Sequence, residues 1–124
     1  NENEISRIVV DCALNIHKEL GPGLLESVYE LLLTHELESC GLKVARQVPV
    51  KISYKGICFD KALELSVVED KVILELKSVE STSKAHKKQV LTYLKLTGLK
   101  LGLLLNFGEA LMKDGITRLI NGQL

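Results

Sequence analysis

Apolar residues at Ile5, Ile8, Val9, Cys12, Ile16 and Leu20 recur at helical spacing and predict a first helix that ends at Gly21-Pro22-Gly23. A second helix is predicted from about Leu24 to Cys40, stopping at Gly41. It is apolar around most of its circumference, which implies deep burial. From Val44 to Tyr54 the pattern changes to alternation with β-branched residues, and predicts one strand before a turn at Tyr54-Lys55-Gly56. Cys58 to Val68 and Lys71 to Ser78 predict two more strands joined at Glu69-Asp70. Ser81-Thr82-Ser83 can cap a third helix from about Lys84 to Thr97, ended by Gly98. Leu101 to Phe107 is a continuous apolar run, as in a strand covered on both faces, and Gly115 to Ile120 suits a short last strand. The order α-α-β-β-β-α-β-(β) predicts an α/β fold: a three-layer sandwich around a central mixed sheet, within one domain over residues 1–124.

Composition narrows the function classes. The 124 residues balance 16 Lys+Arg against 16 Asp+Glu, which excludes a highly basic nucleic-acid coat and an acidic disordered tail. Charge is nevertheless uneven. Residues 1–40 are acidic, whereas residues 77–100 hold Lys77, Lys84, Lys87, Lys88, Lys95 and Lys100 against Glu80 alone. Aromatics are 4% with no Trp, which argues against an aromatic platform for single strands. No apolar run reaches the ~20 residues of a membrane span. The acidic start Asn1-Glu2-Asn3-Glu4 is unlike a signal peptide. Three scattered cysteines, Cys12, Cys40 and Cys58, read as reduced, half-buried thiols of a cytoplasmic protein. With 24 leucines, an exposed apolar face and a homodimer are plausible expectations.

Candidate chemistry centres on Val72-Ile73-Leu74-Glu75-Leu76-Lys77, where alternation puts Glu75 and Lys77 on one face. The ordinary reading is an amphipathic strand in water. If Glu69-Asp70 is a two-residue turn, Val68 faces Lys71 and Glu64 faces Glu75, and two opposed carboxylates would call for a divalent cation. A three-residue loop would bring Leu65 opposite Glu75 instead. Glu26 opens the second helix, where a carboxylate also complements the dipole. Gln89 and Tyr93, four apart, share a face of the third helix with His86. Lys84, Lys88 and Lys95 form another stripe, either a solvated face or a set of phosphate contacts. P-loop, serine-elbow, dinucleotide and paired-histidine signatures are absent.

Gly23-Leu24-Leu25-Glu26-Ser27-Val28-Tyr29 fits the G-x-x-E-x-x-Y signature of a family of small bacterial and archaeal proteins. Tyr54-Lys55-Gly56, Val72 to Lys77, Gln89 to Leu94 and Gly102 to Gly108 follow in that family's order, over nearly the whole chain. The family resembles the PD-(D/E)XK nuclease superfamily, whose restriction-endonuclease-like fold agrees with the predicted order. The resemblance implies a metal-dependent nuclease hydrolysing phosphodiester bonds in nucleic acid, or an inactive relative that binds nucleic acid or a protein. It places E-x-K on Glu75 and Lys77, the helical glutamate on Glu26, and Q-x-x-x-Y on Gln89 and Tyr93. Mg²⁺ or Mn²⁺ would be held by Glu75, the Leu76 carbonyl and Glu64, and Lys84 and Lys88 would contact phosphate. The superfamily's metal-binding Asp, ten residues before the Glu, falls on Leu65. Either Glu64 substitutes through a one-residue shift, or the site is incomplete.

Overall fold

The computed structural model describes residues 1–62 and 65–124, with Lys61 and Ala62 described by their backbone alone. The elements run α1 (Glu2–Leu20), α2 (Glu26–Ser39), β1 (Val44–Arg46), β2 (Pro49–Tyr54), β3 (Ile57–Ala62), β4 (Ser66–Val68), β5 (Val72–Lys77), α3 (Lys84–Thr97), β6 (Leu101–Asn106), a 3-10 turn (Met112–Gly115) and β7 (Ile116–Ile120).

Local chemistry accounts for the helix ends. Asn1 caps α1 by accepting from the Glu4 amide, and Gly21 closes it at φ 70°. Ser83 and His86 form a reciprocal capping box at the start of α3, which gives His86 a structural role, and Gly98 ends that helix in the left-handed conformation.

Five strands form a mixed sheet in the order β1-β4-β5-β6-β7. Only β5 and β6 are parallel, joined through α3. α1 and α2 cover one face through Ile5, Val9, Tyr29, Leu33 and Leu37, which pack on Leu74, Leu76, Leu103 and Leu105. α3 covers the other through Val90 and Leu94, which pack on Leu65, Val67, Ile73 and Leu104. The expected three-layer α/β fold is therefore present.

Three details differ from the sequence expectations. The strand expected over Val44–Tyr54 is two strands in different sheets, because Gln47 turns left-handed at φ 52° and Pro49 cannot donate to a ladder. β2 pairs instead with β3 as a separate hairpin around the expected Tyr54-Lys55-Gly56 turn, and the strand expected over Cys58–Val68 is likewise divided into β3 and β4. α2 buries one stripe only, Tyr29, Leu33 and Leu37; Leu31 faces solvent because no element covers the helix's outer side. Among the thiols, Cys12 is buried, while Cys40 and Cys58 are exposed.

The third difference concerns the turn between β4 and β5. Ser66 faces Leu74, Val67 faces Ile73 and Val68 faces Val72, so three residues form the loop and Val68 does not face Lys71. The cause lies on the neighbouring strand. Glu69 stays in line with β1: its amide donates to the Lys43 carbonyl at 2.8 Å, and its carboxylate accepts from the Lys43 amide at 2.7 Å. Lys43 also pairs with Asp70 at 3.3 Å. With Glu69 held there, the chain needs Asp70 and Lys71 to reverse, and Glu69 and Asp70 adopt φ values of 53° and 57°.

Candidate active site

The wider loop fixes what lies beside Glu75. The ladder ends at the Ser66–Leu74 pair, and its register carried one step further would set Leu65 against Glu75. Leu65 is 2% exposed and packs with Val67, Ile73, Val90, Leu94 and Leu104 beneath α3. The two-residue turn on which the Glu64–Glu75 pairing depended is thus corrected to a three-residue loop. Glu64 itself lies outside the described residues.

Glu75 and Lys77 share the α3-facing side of β5, as alternation predicts. Glu75 is 7% exposed, and the Lys77 ammonium lies 3.7 Å from Glu75 Oε1. Two neighbours hold the end of β5. The Phe107 amide donates to the Lys77 carbonyl at 2.8 Å. Asn106, the register partner of Lys77 on β6, is fully buried, and its Oδ1 accepts from the amides of Val79 and Gly108, both at 3.0 Å. Asn106 Nδ2 is buried without a hydrogen-bond partner among the described residues. Gly108 is required because a Cβ there would stand 2.1 Å from the Val79 carbonyl oxygen. Asn106 did not emerge from the sequence as a functional candidate; a lone amide ending an apolar run was the available signal.

The G-x-x-E-x-x-Y segment acquires a physical explanation. Tyr29 is fully buried and stacks on Phe107 with centroids 4.3 Å apart. Its hydroxyl donates to the Gly21 carbonyl at 2.6 Å and accepts from the Leu24 amide at 3.2 Å. Ser78, just after β5, donates to the Leu24 carbonyl at 2.7 Å. The loop before α2 is therefore tied both to its own helix and to the end of β5. This sets Glu26 at the first turn of α2, on the rim of a cleft of about 490 Å³. Leu74, Leu76, Ser66 and Glu30 also line that cleft. It lies on the α2 side, so the structure places Glu26 and the Leu76 side chain on the face of β5 opposite Glu75 and Lys77. Glu30 is engaged by Arg46 at 2.9 Å.

On α3, the Gln89 amide donates to the Tyr93 hydroxyl at 2.9 Å. Among the described residues neither side chain bonds Lys77. Lys84 and Lys88 are exposed along α3, as are Lys87 and Lys95.

A family model for the PD-(D/E)XK nuclease superfamily matches residues 3–119. The chain belongs to the PD-(D/E)XK nuclease superfamily. No curated protein matches it, and no solved structure does. Nucleases of the superfamily generally use divalent metal ions. The described residues do not fit one. Among them, no three Asp, Glu, His or Cys side chains gather closely enough to hold a metal. Leu65, on which the resemblance sets the superfamily's carboxylate, is buried, and its side chain has no donor atom. Among the described residues, no helix is long and apolar enough to cross a membrane.

Proposed function

We propose that this domain binds nucleic acid along α3 and does not hydrolyse it. The observation that carries this reading is Leu65, an apolar side chain packed in the core beside Glu75, where cleavage would need a second carboxylate. Glu75 and Lys77 remain as an ion pair. A neutral pair attracts phosphate weakly, so the attraction comes from the exposed ammonium groups of Lys84 and Lys88, with Lys87 and Lys95 on the same helix. Lys77, Gln89 and Tyr93 border this surface and help to position the backbone. Glu26 acts from the other face of β5, in the cleft at the start of α2.

The test is an incubation of single-stranded DNA, duplex DNA and RNA with the domain in Mg²⁺ or Mn²⁺, beside a binding titration over a range of salt. We expect intact substrates, and affinity that falls steeply with salt. Lys84→Ala with Lys88→Ala should lower both the affinity and the salt slope. Metal-dependent cleavage that disappears in Lys77→Ala and in Glu64→Ala would overturn this reading in favour of a working nuclease with Glu64 as ligand. A flat salt response would point to a protein partner.

A further inference from the structure

The chain has only five aromatic residues, three Tyr and two Phe. Tyr29 and Phe107 stack in the core. The other three, Tyr54, Phe59 and Tyr93, lie on the β2–β3 hairpin and α3. The hairpin pairs Ile52 with Phe59 and Tyr54 with Ile57. Alternation therefore gathers these four side chains on one face, with Lys51, Ser53, Cys58 and Asp60 on the other. All four are open to solvent: Tyr54 is 60% exposed and Phe59 51%. Val50, on the same face nearer the hairpin's base, is buried, and β2 runs against α3. The hairpin that carries the exposed rings therefore adjoins the helix that carries the exposed lysines. On the hairpin itself, the Lys55 ammonium lies 5.4 Å from the centre of the Tyr54 ring.

We infer that this hairpin face is a stacking platform for the unpaired bases of single-stranded nucleic acid. It rests on the proposed binding along α3 and names the strand state that is bound. An aromatic ring stacks on any base through its π-face, whereas a duplex keeps its base faces covered. Lys55, beside the Tyr54 ring, and Lys84 and Lys88 on α3 would track the phosphates between stacked bases. Charge and area both argue against a second copy as the occupant. Four half-exposed side chains offer on the order of 400 Å² of apolar surface, about half of the ~800 Å² that each partner of a stable dimer buries. Two copies would also bring their lysines together.

The experiment measures anisotropy of labelled oligothymidylate and of a duplex of equal length, at one salt concentration. The wild-type domain should prefer the single strand. Tyr54→Ala and Phe59→Ala should each weaken oligothymidylate binding by about five-fold or more and change duplex binding by less than about two-fold. Tyr54→Phe should keep the affinity but shrink the quenching of tyrosine emission by bound oligothymidylate. Unaltered melting temperatures would show that these exposed sites do not carry the fold. Duplex binding that persists while the aromatic variants leave oligothymidylate affinity unchanged overturns the platform alone. Failure to bind either substrate overturns the binding reading beneath it as well. A dimer that Phe59→Ala converts to monomer with no loss of oligothymidylate affinity would assign the face to a second copy and end the proposal.

Discussion

Replacing Leu65 by Asp supplies the carboxylate that the superfamily resemblance implies at this position, and its consequences follow from the packing. Leu65 is 2% exposed in the core beneath α3. Emptying a buried leucine site to alanine costs about 2–5 kcal/mol. A carboxylate in that space adds desolvation and repulsion from Glu75 across the ladder. Together these predict a loss of roughly 4 kcal/mol or more at pH 7, a large part of the ~5–15 kcal/mol that stabilises a typical domain. For 124 residues the unfolding entropy is about 260 cal/mol/K, so the melting temperature should drop by about 15 °C. Mn²⁺ should then stabilise the variant, because two carboxylates face each other only in the folded state. At a concentration 100-fold above its Kd, a metal returns about 2.7 kcal/mol, or about 10 °C. Leu65→Ala would lose the packing but show no response to metal. The assay is thermal unfolding of the three proteins by circular dichroism, with Mn²⁺ and with chelator. A Mn²⁺ shift in the wild type as large as in the variant would refute the reasoning, since it requires a native metal site. A loss below about 1 kcal/mol in Leu65→Asp would refute the packing assignment itself.

Tyr29→Phe removes a hydroxyl that serves Gly21 and Leu24 and should cost about 1–2 kcal/mol, read as a fall of about 4–8 °C in melting temperature. An unchanged temperature would mean that the loop before α2 is held by other contacts. Gly108→Ala puts a Cβ 2.1 Å from a backbone oxygen, and should lower the urea midpoint by an amount equivalent to more than about 2 kcal/mol. Burial pushes the Cys12 thiol up from 9.0 to about 11, with Cys40 beside it adding to the shift. The folded state therefore keeps Cys12 protonated after the unfolded chain has begun to ionise it. Stability from this source is whole below about pH 9 and is lost as pH rises through about 11. Urea unfolding of Cys12→Ala should show a shallower fall over that window than the wild type, and parallel slopes would contradict the assignment.

Elements with local causes were legible from the chain. Helical spacing with Gly21, Ser83 and Gly98 located the ends of α1 and α3, and apolar runs located β5 and β6. Strand alternation alone was sufficient to put Glu75 and Lys77 on one face. The break at Gln47 was not legible, because a left-handed non-glycine residue leaves no compositional mark. Nor was the position of Glu26 across the sheet from Glu75, which depends on which face α2 covers. The same holds for the five aromatics: their number argued against a stacking surface, whereas the hairpin register sets Tyr54 and Phe59 on one exposed face.

The β4–β5 register shows most clearly how a distant contact decides chemistry. Two loop lengths were compatible with Glu69-Asp70, and they differ by one residue. Because side chains alternate, that one residue determines whether a carboxylate or a leucine stands beside Glu75. Glu69 selects between them through Lys43, which holds it by both backbone and side chain at the edge of β1. The bonds that widen the turn thereby set a register that, carried one step past Ser66, would align Leu65 with Glu75. Of these, the Glu69 carboxylate can be removed without touching the core. Glu69→Ala is therefore the change that would loosen the choice of register while leaving Leu65, Glu75 and Lys77 chemically intact.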